Sequence, residues 1–146
     1  MLVTMLFALL LVAITVIVHC AGLVVLLRRV MTGKSRALAA RAAMFRLLVE
    51  VTWVLVVLHA AEIALWAMFY RLAGVLPDAE TAFYFSGVTY ATVGYGDVVL
   101  AQPWRMLGPI EGLAGILMCG LSTALFLAIV TRVVAPRLKG EATAGA

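Results

Sequence analysis

The residues from Thr92 to Asp97 read TVGYGD, and their types suit one kind of chemistry, the holding of a bare cation by backbone oxygen. A cation enters a narrow passage only if something replaces the water it sheds. Successive backbone carbonyls do this when they all point at one axis. An ordinary strand alternates from residue to residue and cannot. Gly94 and Gly96 lack a Cβ and tolerate positive φ, which lets neighbouring carbonyls turn the same way. Thr92 adds a hydroxyl at one end of the row. Val93 and Tyr95 then point away from the axis and pack as a spring around it. One copy of the string supplies one wall, and an ion needs a ring. The chain shows no internal repeat, so four chains are expected to share one axis.

Three further residues with acid–base or ligand chemistry fall inside apolar runs: His59, Glu62 and Glu111. A carboxylate in a membrane span is costly and faces protein or water. Glu62 lies roughly 12 Å below the outer end of its span, and Glu111 at a similar depth. Both are expected to be structural acids that hydrogen-bond the short helix preceding TVGYGD, because buried polar groups are normally satisfied. A pH sensor is the alternative for Glu62. His59 lies one helical turn from Glu62 on the same face and is its expected partner. A metal site is not expected there, since no further ligands cluster nearby in sequence. Cys20 and Cys119 lie in apolar runs and are read as inert packing residues.

The elements that must position these groups follow from composition. The chain has 146 residues, 66% hydrophobic and 12% charged, with mean hydropathy +1.16 and net charge +4. This is the balance of an all-α integral membrane protein, and about 20 residues per span allow roughly three spans. Residues 1–27 form the first span. The segment lacks a preceding basic residue and a following small-residue cleavage site, so it reads as a retained helix and not a signal peptide. Residues 28–46 form a basic linker with Arg28, Arg29, Lys34, Arg36, Arg41 and Arg46 and no acid, which makes it cytoplasmic and places the N-terminus outside. A short helix over Arg36–Met44, capped by Ser35, is expected on the inner leaflet. The Gly33-Lys34-Ser35 triplet is not a phosphate loop, because Arg28 stands where the first glycine belongs. No span carries the every-third-residue arginines of a voltage sensor.

Residues 47–70 form the second span, ending in an aromatic belt at Trp66, Phe69 and Tyr70. Pro77 and Asp78 start a helix over 78–90, about 18 Å long and too short to cross, so it descends part-way and the chain returns through 92–97. Non-helical backbone at that depth is tolerated only where it lines a wet cavity. The third span covers 106–134, and residues 135–146 form a short cytoplasmic tail. Nine basic residues lie inside, whereas Asp78, Glu80 and Asp97 make the outer mouth mildly acidic. In the third span, Ile116, Gly120, Thr123, Leu127 and Thr131 recur at helical spacing, which fits either core or the lining of an axis. Gly108 and Gly112 form a GxxxG pair suited to close packing.

From about Leu47 to Val134, some sixty per cent of the chain, the sequence resembles the pore domain of tetrameric potassium channels, the small prokaryotic members most of all. The resemblance rests on TVGYGD and on the aromatic run Ala82-Phe83-Tyr84-Phe85-Ser86 before it. It implies an outer helix, pore helix, selectivity filter and inner helix. Thr92, Val93, Gly94 and Tyr95 would supply the K+-binding carbonyls, with Gly96 completing the filter and Asp97 behind the outer mouth. Tyr84 and Phe85 would form an aromatic cuff, with Tyr84 the donor. Ile116, Gly120, Thr123, Leu127 and Thr131 would line the pore and its gate, and Gly115 would be the inner-helix hinge. The sequence departs from some bacterial members at Val88, where they carry a glutamate paired with the aspartate of the motif. Asp97 therefore lacks that partner. The first span lies outside the two-helix plan.

The function this implies is passive conduction of K+ through a homotetramer in a prokaryotic plasma membrane. The partners would be three identical subunits and the bilayer. No enzyme activity, organic cofactor or nucleic acid is expected. A channel-like transporter subunit and a non-conducting membrane subunit are the alternatives. Transporters of that kind carry four degenerate repeats in one chain, and this chain has one full motif.

Overall fold

The computed structural model describes residues 2–32 and 41–134, which form four α-helices with no strand among the described residues. Helix α1 spans Leu2–Thr32, α2 Arg41–Leu72, α3 Ala79–Tyr90 and α4 Leu107–Ile129. A 3₁₀ turn, Trp104–Met106, leads into α4, and a π-helical turn, Val130–Val134, continues it. Three helical stretches are long and apolar enough to cross a membrane: Leu2–Thr32, Phe45–Leu72 and Trp104–Arg132. Each is apolar along most of its length, as a helix that crosses lipid must be.

The first two spanning helices are longer than the sequence suggests, and the third keeps its expected bounds. The first continues through Arg28 and Arg29 to Thr32, because arginine is a good helix former and nothing breaks the backbone there. The surface helix expected over Arg36–Met44 lies largely outside the described residues. Its last four residues, 41–44, belong instead to α2, whose helix extends below the apolar run. The 135–146 tail also lies outside the described residues.

Two apolar clusters hold the helices together, one at each end. At one end, Ala8 and Leu11 of α1 meet Trp66 and Tyr70 of α2, Phe85 of α3 and Leu107 and Ala114 of α4. At the other end, Leu26, Val51 and Ile129 pack as one group. The basic residues Arg28, Arg29 and Arg132 lie near that second end, where Arg29 comes within 4.0 Å of the exposed Glu50. The extra span α1 is not peripheral. Gly22 lets it approach α2 so closely that a Cβ there would lie 2.6 Å from a Leu58 methyl. Trp66 donates its indole N–H to Thr15 Oγ1 at 3.0 Å, a polar link between the two helices.

Helix α3 begins where the sequence signals it. Asp78 is the cap, accepting the Thr81 amide at Oδ1 and the Thr81 hydroxyl at Oδ2, both at 2.8 Å. The turn before it closes through Gly74 at φ +65° and through the Tyr70 carbonyl, which accepts from the amides of Val75 and Leu76. The helix has 12 residues, too few to span, and it lies against a row of glycines on α4. Gly112 leaves room for the Thr89 carbonyl, and Gly115 faces the Tyr90 carbonyl so closely that any Cβ would overlap it.

Candidate functional site: the Thr92–Asp97 segment and its polar scaffold

The segment leaves α3 by a tied turn. Thr92 N–H donates to the Thr89 carbonyl at 2.9 Å, and the amides of Val93 and Gly94 both donate to the Val88 carbonyl, at 2.8 and 3.0 Å. With these amides turned back to the helix end, the segment's own carbonyls are not used by the turn. The φ angles are +59° at Thr92, +53° at Gly94 and +81° at Gly96. Left-handed residues thus alternate with ordinary ones along the row, the backbone pattern required to bring neighbouring carbonyls to one side. The glycines were expected to do this. Thr92 was not, since positive φ in a β-branched residue is uncommon and strained. No Cβ at Gly94 or Gly96 would meet any atom within 4 Å, so φ alone restricts those positions.

Val93 is 51% and Tyr95 72% exposed on the single chain. Both large side chains lack cover from their own subunit. Asp97, deprived of a glutamate by Val88, has another partner: Tyr84 donates its hydroxyl to Asp97 Oδ2 at 2.6 Å, and the Val98 amide donates to Oδ1 at 3.0 Å. The Tyr84 hydrogen bond holds the Asp97 carboxyl below its usual range. Phe85, the next residue, points about 100° away around the helix. It is buried in an edge-on contact with Tyr70, ring centres 5.3 Å apart, and so fastens α3 to α2. A recess of about 390 Å³ lies between the segment, α3 and the start of α4, bounded by Val88, Thr92, Gly94, Val99 and Pro109.

Behind α3 stand two carboxylates, both fully buried. Glu111 of α4 accepts from Tyr70 of α2 at 2.7 Å and from Ser86 of α3, and Ser86 also lies 2.9 Å from the Ile63 carbonyl. Glu62 of α2 accepts from Tyr90, the last residue of α3, and His59 reaches the same group, 3.1 Å from Tyr90 Oη and 3.4 Å from Glu62 Oε2. The nearest histidine to Glu62 is nonetheless His19 of α1, whose Nδ1 lies 2.8 Å from Oε1. Sequence reasoning missed His19 although a signal was present: Thr4, Thr15 and His19 recur at helical spacing and share the face that α1 buries. The expectation that no further ligands gather near His59 and Glu62 is corrected: His19, His59 and Glu62 place three potential metal ligands within 4.8 Å of one another. Tertiary packing joins residues 40 or more positions apart.

A family model described as ion channel matches residues 52–132, more than half of the chain. The chain belongs to the ion channel family. No curated protein matches it, and no solved structure does. With three helices apolar enough to span, this ion channel subunit is an integral membrane protein. The match runs from early α2 through Arg132, so α1 with His19 lies outside the family's own region.

The remaining residues singled out from the sequence fall on α4. Ile116, Gly120, Thr123, Leu127 and Thr131 are all exposed on the single channel chain. Thr123 and Thr131 donate their hydroxyls to carbonyls four residues back, at 2.8 Å. Gly115 is buried on the opposite side, against Tyr90, and close packing alone is reason for a glycine there. Cys20 and Cys119, read as packing residues, are free thiols on exposed faces.

Proposed function

We propose that this ion channel conducts K+ passively and selectively through a pore formed by four copies of the chain around one axis. The observation that carries this reading is the alternating positive φ at Thr92, Gly94 and Gly96 in a segment that spells TVGYGD. A strained threonine at such a place is the kind of outlier that folds retain for function. In this reading the carbonyls of Thr92, Val93, Gly94 and Tyr95 replace the hydration shell of the permeant ion. The exposure of Val93 and Tyr95 supports the four-fold assembly, since neighbouring copies would cover them. The stripe Ile116, Gly120, Thr123, Leu127 and Thr131 lines the inner cavity, with its narrowest point near Leu127 or Thr131. The N-terminus is outside and the C-terminus cytoplasmic, as the basic residues at the Arg28, Arg29 and Arg132 end support.

The test is flux from purified protein in liposomes together with its mass in detergent. K+-dependent flux that Na+ does not support, from a particle of four chains, is expected. Equal flux of the two ions, or a particle of only two chains, overturns the reading.

A further inference from the structure

The cluster behind Tyr90 joins all four helices in one closed ring of contacts. Glu62 Oε1 meets His19 Nδ1 at 2.8 Å, and His19 Nε2 lies 3.4 Å from Ser122 Oγ. Ser122 Oγ lies 3.1 Å from His59 Nε2, His59 Nδ1 lies 3.1 Å from Tyr90 Oη, and Tyr90 closes the ring on Glu62 Oε2. Five contacts need five hydrogens. A carboxylate brings none, and two neutral imidazoles, a phenol and a hydroxyl bring four between them. If both imidazoles carry hydrogen on the Nδ1 that faces Glu62 and Tyr90, both bare Nε2 atoms face Ser122, whose single hydrogen serves only one. Buried polar groups are rarely left in such conflict.

A cation on the Nδ1 side removes the conflict. Both Nδ1 lone pairs then point at it, both Nε2–H groups donate to Ser122, and one hydroxyl oxygen has the two lone pairs to accept them. The geometry suits a metal. The two imidazole ring centres lie 5.4 Å apart, tilted by 40°. Two imidazoles bound to one tetrahedral zinc at its usual Zn–N distance put their centres about 5 Å apart. Glu62 supplies a carboxylate oxygen, giving three protein ligands from two helices with the fourth position left for water, while Tyr90 stays hydrogen-bonded to Glu62.

We propose that His19, His59 and Glu62 form a divalent-metal site of the zinc type that fastens α1 to α2 behind the end of α3. Imidazole and oxygen donors in a four-coordinate site favour Zn2+ among the available dications. Ser122 positions both imidazoles from behind, the outer-shell role that fixes ligand orientation in metal sites. A recess of about 260 Å³ lined by Thr52, Leu55, Ser122, Thr123 and Phe126 ends at Ser122, and the His59 side chain is 21% exposed, so the cluster touches the surface through these two residues. The site is distinct from the Thr92–Asp97 carbonyls and does not depend on what they conduct.

The experiment uses the full-length protein in detergent, stripped with a chelator and titrated with Zn2+ and, for its visible spectrum, with Co2+. One metal per chain, the intense absorption bands of four-coordinate Co2+ and a melting temperature raised by Zn2+ are expected. Ser122→Ala keeps every ligand and should weaken binding about 10–100-fold. His19→Ala should abolish stoichiometric binding, and Glu50→Gln, remote from the cluster, should leave it unchanged. Since His19→Ala also strips Glu62 of a partner and can impair folding, the Co2+ spectrum of the unmutated protein carries the test by itself. No bound metal, the weak bands of six-coordinate Co2+, or binding that survives His19→Ala overturns the proposal. So does a melting temperature that responds to pH and not to Zn2+, which would make the missing cation a proton.

Discussion

On one side of α3 the Thr92–Asp97 backbone stands open, with Val93 and Tyr95 largely exposed and only Asp97 held, by the Tyr84 hydroxyl and the Val98 amide, among the described residues. On the other side Glu62, Ser86 and Glu111 are sealed from solvent, and their hydrogen bonds all end within the same chain. The difference follows from what each group needs. A buried carboxylate must be satisfied where the subunit folds, because an unpaired one costs too much. A row of carbonyls meant for an ion must be left unsatisfied by protein. One region is thus complete in a single chain, and under the proposed function the other is completed by further copies and by the ion.

The largest effect that sharpens this contrast belongs to the open side. Gly96→Ala should abolish K+ over Na+ selectivity or prevent assembly, because alanine resists the φ of +81° although no atom crowds it. Unchanged permeability ratios in Gly96→Ala channels would break the carbonyl argument and with it the comparison.

Next come the sealed acids. Glu111→Ala orphans the Tyr70 hydroxyl, at about 1–3 kcal/mol, while Ser86 keeps the Ile63 carbonyl, and should lower the melting temperature. Glu62→Ala should act in the same direction, and Glu62→Gln should be milder, since it keeps shape and most bonds. If Glu62 were a pH sensor the order would differ: Glu62→Gln would remove pH dependence while the assembly stayed intact. Melting and conductance against pH for both variants decide between these.

A smaller effect tests the seam between the two sides. Gly115→Ala drives a methyl into the Tyr90 carbonyl and should cost about 1–3 kcal/mol of stability. Gly120→Ala, with nothing within 4 Å of its added methyl, should be nearly neutral. Equal melting of the two variants would mean that α3 does not rest on α4 as described.

The smallest effect concerns the exposed strut. The Tyr84 hydroxyl lowers the Asp97 pKa, so this bond contributes at neutral pH and is lost as pH falls through the depressed value. Tyr84→Phe should move the loss upward, toward the ordinary carboxylate range. A titration of Asp97, or of open-filter lifetime against pH, that does not shift in Tyr84→Phe would show that the bond holds nothing.

Much of this was legible from residue order. Long apolar runs define spans because lipid offers the backbone no hydrogen bonds, so composition alone forces helix. The Pro77-Asp78 start, the short α3 and the alternation made possible by Gly94 and Gly96 are local consequences of residue type. Glu62 and Glu111 announced themselves as buried acids because no carboxylate sits in a span without partners. Which partners they have was not legible. Ser86, Tyr70 and Tyr90 reach them through the angle at which α3 crosses α2 and α4, which three glycines on α4 permit but do not spell out. His19 reaches Glu62 only because α1 docks with one particular face inward. Thr4, Thr15 and His19 mark that face along α1, but only packing decides which neighbour it meets. Local chemistry along the chain therefore determined the spans and the Thr92–Asp97 wall, and the meeting of helices distant in sequence decided what stands behind it.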